Sequence, residues 1–217
     1  MPVFALTIHA DYRCRHAGAC CTSDWDVPVE VPLHRTLQDA IAHGRLLTPA
    51  VSHDGGPALV VDDDLDDGVG AMVARTATGD CVFYHRQSGL CVVHRDLGEP
   101  SLPATCRHFP RLSVRDLRGT FITLTHYCPT AAEALFRTDV ELAIVEDPAA
   151  FPDRDYDGLT VSDDEWPPLL DPRRLMGFEG YHAWERHMVA RCADARLSPE
   201  QVVATRSEEH TSELQSR

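Results

Sequence analysis

Between Cys81 and Pro129 the chain reads CVFYHRQSGLCVVHRDLGEPSLPATCRHFPRLSVRDLRGTFITLTHYCP, and no other stretch limits the fold so tightly. It carries two hairpin signals. CVFY and LCVVH alternate as strands do, and HRQSG between them supplies Gly89 for a turn residue of positive φ. RLSVRD and TFITLTHY form the second pair, joined through Leu117-Arg118-Gly119, and its far strand ends at Cys128 with Pro129 suited to open a helix. The first hairpin brings Cys81 towards Cys91, and the second returns Cys106 and Cys128 to the same region. An earlier segment, Cys14-Arg-His-Ala-Gly-Ala-Cys20-Cys21, is expected to be a loop that folds onto them.

The rest of the chain gives weaker signals. VFALTIHADYRC is near alternation and predicts a strand running into the first cysteines. After Cys21, Pro28 and Pro32 favour an extended edge with Trp25 as a buried anchor. Leu33, Leu37, Ile41 and Leu46 fit one face of a helix over 33–47. The acidic run Asp62-Asp63-Asp64-Leu65-Asp66-Asp67 lacks the alternating ligands, central glycine and closing glutamate of a calcium loop, and reads as a solvated connection. Thr130 to about Glu146 is helical in composition, with Thr130 as cap and Glu133 three residues on. Prolines 148, 152, 167, 168 and 172 break up an acidic connection holding Tyr156 and Trp166. A helical pattern returns over 174–195, and Ser198-Pro199-Glu200 opens another.

At 217 residues the chain is long enough to bury an apolar interior without disulfides. No basic segment followed by an apolar one opens it, and no apolar run approaches the ~18 residues of a membrane span. These features predict a cytoplasmic protein with no membrane partner. A net charge of -14 repels phosphate backbones and so argues against nucleic acid. Lysine and asparagine are absent, a mark of GC-rich coding rather than of function. Arg206 to Ser216 matches the in-frame translation of a common sequencing-adapter read, and 206–217 is therefore set aside as non-native, with the native chain expected to continue.

Eight cysteines in a reducing compartment point to metal or redox chemistry rather than to a disulfide framework. Thiolate suits zinc and iron-sulfur clusters, and four are enough for either. Seven lie between Cys14 and Cys128, so the expected metal ligands are drawn from Cys14, Cys20, Cys21, Cys81, Cys91, Cys106 and Cys128. Cys20 and Cys21, adjacent in an extended chain, would point to opposite sides. Arg13, Arg15, Arg95, Arg107 and Arg111 lie beside these cysteines and favour thiolate over thiol. Among the histidines at 16, 85, 94, 108 and 126, His16 and His108 are the best placed to replace a thiolate. Cys192, near His187, reads as a core residue. Glu179-x-x-His182 has the spacing of a di-iron half-site but no partner.

The order Cys, Cys-Cys, Cys81 with Phe83, Gly89-Leu90-Cys91, Leu97-Gly98-Glu99, Leu102, Cys106-Arg107, Phe109-Pro110-Arg111 and Cys128-Pro129 resembles the YkgJ-type cysteine-cluster family, described as zinc- or iron-chelating. The Leu-Gly-Glu and Cys-Pro elements are similar to those of flagellin lysine N-methylases. Ala17 stands where the family's first motif often has a second cysteine. The resemblance covers about residues 12–136. It implies a metal-chelating core, and a protein lysine methyltransferase with S-adenosylmethionine and a protein substrate, although no glycine-rich adenosylmethionine loop or Cys-x3-Cys-x2-Cys arrangement is present.

The sequence thus predicts an α+β fold: a small irregular cysteine-cluster core of short antiparallel hairpins over 1–130, and flanking helices in an extension over 131–205. The predicted function is metal binding, by a [4Fe-4S] cluster or else by zinc, within a methylase-like enzyme. The alternative is a non-catalytic scaffold protein that binds zinc.

Overall fold

The hairpin expected near residues 111–124 is the spine of the larger sheet. In the computed structural model, which describes residues 1–156, 158–162 and 177–204, β7 (Arg111–Asp116) and β8 (Gly119–Leu124) pair antiparallel from Arg111 opposite Leu124 to Asp116 opposite Gly119. β1 (Val3–Leu6) lies parallel to β8, in register Val3 to Thr120. A Cβ at Gly119, whose φ is +152°, would collide with the Pro2 carbonyl oxygen, so glycine permits this close approach. The edges are β9 (Ile144–Glu146), antiparallel to β1, and β10 (Leu159–Val161), parallel to β7, giving the order β10-β7-β8-β1-β9. Val3, Ala5, Ile122 and Leu124 on one face bury against Cys128, Ala131, Phe151 and Tyr156.

A second, three-stranded sheet has the order β2-β4-β3, from β2 (Pro28–Glu30), β3 (Leu59–Val60) and β4 (Val69–Val73). Helix α2 (Val31–Ala42) covers it with Leu37 and Ala40, and takes Pro32 in its first turn, where the missing N–H costs nothing. Leu46, Val82, Phe83, Val92 and Val93 complete this core. The acidic run 62–67 lies in the loop between β3 and β4, mostly exposed. Trp25 packs against the same core and meets Phe109 edge-on, with ring centroids 4.8 Å apart.

Short antiparallel hairpins with flanking helices are therefore present in a mixed α+β arrangement, but the predicted cysteine-cluster core is not. The interior consists of two aliphatic and aromatic groups, with Cys20, Cys21, Cys81, Cys91 and Cys106 in or against the first and Cys128 in the second. The first hairpin shrinks to β5 (Tyr84–His85) and β6 (Leu90–Cys91), because Val92 and Val93 turn inward as the start of α3 (Val92–Leu97). Burying two valines outweighs their preference for strand. The helix expected over 130–146 ends early. α5 (Pro129–Glu133) and a 3-10 turn, Ala134–Phe136, use up the alanine-rich part, and Ile144 and Val145 then pair with the open edge of β1. Its cap position is Cys128 rather than Thr130.

α6 (Phe178–Ala193) is fastened to the β7-β8 turn by Arg118, which donates to Glu185 at 2.6 Å and lies over the Phe121 ring. Cys192 on this helix is exposed, contrary to the core position predicted for it. Residues 199–204 are again helical. Trp166, Pro167, Pro168, Pro172 and the 206–217 tail lie outside the described residues. Among the described residues, no helix is long and apolar enough to cross a membrane.

Candidate functional site: a thiol-lined cleft

Gly18 sets the local geometry. Its φ of +78° is left-handed, and a Cβ there would overlap the hydroxyl of Tyr84, so the chain can fold tightly only with glycine at this point. From it springs α1 (Ala19–Thr22), with the Cys21 and Thr22 N–H groups donating to the Gly18 carbonyl. The segment predicted as extended is thus a helical turn, in which successive side chains diverge by about 100° rather than 180°. The Cys20 and Cys21 sulfurs accordingly lie side by side, 3.7 Å apart.

The other thiols are carried to this turn by backbone pairing. Cys81 N–H donates to the Cys21 carbonyl at 2.7 Å, and Cys91 stands opposite Tyr84 in the β5-β6 pair, immediately before α3. Cys106 sits on α4 (Ala104–His108), whose first N–H donates to the Glu30 carboxylate at 2.8 Å and so ties that helix to β2. On the far side, Cys128 precedes α5 and its sulfur is 3.6 Å from the Tyr12 hydroxyl. Cys14 is exposed and accepts a hydrogen bond from His16 N–H at 3.4 Å.

Six of the seven cysteines picked out in the sequence, Cys14, Cys20, Cys21, Cys91, Cys106 and Cys128, line one cleft of 470 Å³. Cys81 lies behind it, buried in the first core. His16 and His94 also face the cleft, as do Arg95, Arg107 and Arg111. His108 instead lines a neighbouring cavity, together with Arg107 and Arg111.

The sulfurs differ in how readily they ionise. Cys21 is placed to share its proton with Cys20 and with Cys91, and holding that proton while buried pushes its own pKa up. Cys91 is the beneficiary. The hydrogen bond from Cys21, helped by the backbone N–H groups of His94 and Val93, outweighs burial and brings its thiol down to about 7. Cys20 is lowered by the same partner. Burial pushes Cys81 up to about 11 and raises Cys106 as well. Cys14 is also raised by burial, in spite of the His16 N–H.

This arrangement overturns the predicted metal centre. Among the described residues, no group of three or more histidine, cysteine, aspartate and glutamate side chains is placed to hold a metal ion. The seven do not converge on one point: Cys20, Cys21, Cys81, Cys91 and Cys106 are spread along the first core, Cys128 belongs to the second, against Tyr12, and Cys14 is exposed. The iron-sulfur cluster, the zinc alternative and the scaffold role built on zinc all fall with that finding. Sequence reasoning also missed Tyr12 and Glu30, which position Cys128 and Cys106. Neither has a local signal, since each partner lies more than 70 residues away.

No family model matches the chain, and no curated protein or solved structure is significantly similar to it. The resemblance to cysteine-cluster proteins and lysine methylases therefore has no support beyond the short motifs that suggested it, and the adenosylmethionine it implied has none either. What distinguishes the chain is its own geometry: a row of free thiols along one open cleft, with Cys91, lowered to about 7, at the head of α3.

Proposed function

We propose that the cleft is a thiol-disulfide exchange site, with Cys91 as the attacking thiolate and Cys21 as the resolving thiol. One observation carries this reading: the Cys20 and Cys21 sulfurs lie 3.7 Å apart at the wall of an open cleft that Cys91 also lines, and the hydrogen bond from Cys21 lowers the Cys91 thiol to about 7. Exchange needs an accessible thiolate whose pKa is close to ambient and a second thiol within reach.

The Cys91 thiolate attacks one sulfur of a substrate disulfide, forming a mixed disulfide and releasing the other half as a thiolate. The departing thiolate takes the proton of Cys21, and the Cys21 thiolate then attacks the Cys91 sulfur, which expels the second half as a thiolate. A Cys21–Cys91 disulfide forms, and the substrate has gained the two electrons that the cysteine pair has lost. Cys14, Cys106 and Cys128 line the same space without taking part in the transfer, and Cys81 supports it from behind.

Exchange is tested by mixing the reduced chain with bis(hydroxyethyl) disulfide and following thiol release. The wild type should release both halves, and peptide mapping should place the new disulfide between Cys21 and Cys91. Cys91→Ser should abolish the fast phase, and Cys21→Ser should stop at the mixed disulfide on Cys91. Equal rates in wild type and Cys91→Ser would refute the reading.

A further inference from the structure

We infer that the substrate of this cleft carries a carboxylate, or an anion of like charge, seated in the adjoining cavity of 330 Å³ lined by Glu99, Arg107, His108, Arg111, Arg154, Asp155 and Tyr156. The inference rests on the exchange reading for the reaction but not for the anion. Arg107, Arg111 and Glu99 line both the thiol cleft and this cavity, so a bound molecule can span the two.

The charges favour an anion there. In a chain with 34 acidic and 20 basic residues, three guanidinium groups converge on one small cavity and outnumber its two carboxylates, Glu99 and Asp155. Arg111 is half-buried between them. Its Nη1 donates to the Arg107 carbonyl at 2.6 Å, while its buried Nε has no hydrogen-bond partner. No carboxylate among the described residues forms an ion pair with it, and Glu99 acts on it only at longer range. Arg154 crowds it with a like charge, and both that charge and, more strongly, burial disfavour its protonated form. A half-buried guanidinium with no carboxylate partner is costly, and a carboxylate seated in the cavity offsets that cost by balancing its charge.

Arg154 is an exposed residue of the cavity lining. It reaches Glu99 at 3.4 Å, a long contact between exposed groups, and its guanidinium lies over the Tyr156 ring, 5.3 Å from the centroid. An incoming carboxylate can displace Glu99 from Arg154 at little expense, because an exposed ion pair of this length contributes little. Tyr156 remains as the wall beneath, its hydroxyl engaged with the Pro152 carbonyl at 2.6 Å.

Calorimetric titration of the reduced full chain with thiodipropionate is the decisive experiment, since this dicarboxylate has a thioether that cannot exchange. Binding is expected, with Arg154→Gln weakening it by about tenfold or more, the loss typical of one charge-assisted hydrogen bond. Arg45→Gln, which removes an equal charge from a distant exposed ion pair with Asp39, should bind as the wild type does. Arg111→Gln should weaken binding as well, and Arg154, being exposed, decides the matter if that variant does not fold. Absence of binding by the wild type, or equal weakening by Arg45→Gln, overturns the anion site whatever the thiols do. A chain that binds thiodipropionate but fails to reduce bis(hydroxyethyl) disulfide keeps the anion site and loses the exchange reading. With both intact, dithiodipropionate should be reduced faster than the neutral disulfide, and Arg154→Gln should lower that ratio.

Discussion

On one wall of the cleft Cys20, Cys21 and Cys91 share protons with one another; on the other, Cys128 lies against Tyr12 and Cys14 against the backbone of His16. All of these sulfurs border the same space, so access alone does not separate them. Their neighbours do. A thiol whose nearest polar partner is another thiol has somewhere to send its proton, and the partner's S–H stabilises the thiolate left behind. Where burial is not offset in this way, the thiol stays protonated, as Cys106 and Cys81 show. Chemical specialisation along the cleft therefore follows from one helical turn, α1, that places two sulfurs 3.7 Å apart.

The sharpest way to break this contrast is to compare Cys91 with Cys81. At pH 7 a thiol with a pKa of about 7 is about half thiolate, and one at about 11 holds roughly one part in ten thousand as thiolate. The weaker nucleophilicity of the less basic sulfur gives back roughly sixtyfold, so Cys91 should still be alkylated roughly a hundredfold faster. Burial of Cys81 can only widen the gap. Isotope-coded alkylation with mass-spectrometric readout measures both rates in one sample, and equal labelling would remove the distinction.

The second test removes the proton donor. Cys21→Ala leaves Cys91 without its main stabilising partner, so the pH at which its alkylation rate is half-maximal should rise from about 7 by about one unit or more, a loss of roughly tenfold in thiolate at neutral pH. An unchanged profile would mean that the backbone N–H groups of α3 act alone.

The sequence made some of this legible and hid the rest for identifiable reasons. The β7-β8 hairpin was readable because its alternation and turn are local, and it formed in nearly the expected place. α2 was readable from the spacing of Leu37 and its neighbours. The Cys20-Cys21 pair was not, because an extended chain and a helical turn put adjacent side chains in different relations, and the choice was made by Gly18 against Tyr84, a contact across 66 residues. Likewise, Ile144 and Val145 looked like the end of a helix until the open edge of β1 claimed them. The cysteines could be picked out as a set, but their division between two cores depends on which residues lie behind each sulfur, and spacing does not encode that.

A third test concerns the far side, where His9 is 1% exposed and neither ring nitrogen has a hydrogen-bond partner. Burial, with His126 nearby, lowers its pKa below the usual 6.5. The unfolded chain then binds a proton that the folded chain resists, so stability at this site is full above about 6.5 and falls as the pH drops below it. Thermal melts between pH 7 and pH 5 should show a falling midpoint in the wild type and a smaller fall in His9→Leu. Equal slopes would place the loss elsewhere.

The smallest effect is expected from Tyr12→Phe, and it separates the two walls most cleanly. The substitution deletes one hydroxyl and keeps the ring, so the packing of Tyr12 against the second core is retained. What is lost is the 3.6 Å contact with the Cys128 sulfur. Sulfur is a weak hydrogen-bond partner, and the cost should lie near the low end of the usual range, about 0.5 kcal/mol. Because Cys128 belongs to the far wall, the pH profile of Cys91 should not move. Urea unfolding measures the first expectation and alkylation kinetics the second. A shift in the Cys91 profile would show that the thiols on the two walls are electrostatically continuous, and the separation drawn here would then fail at its weakest link.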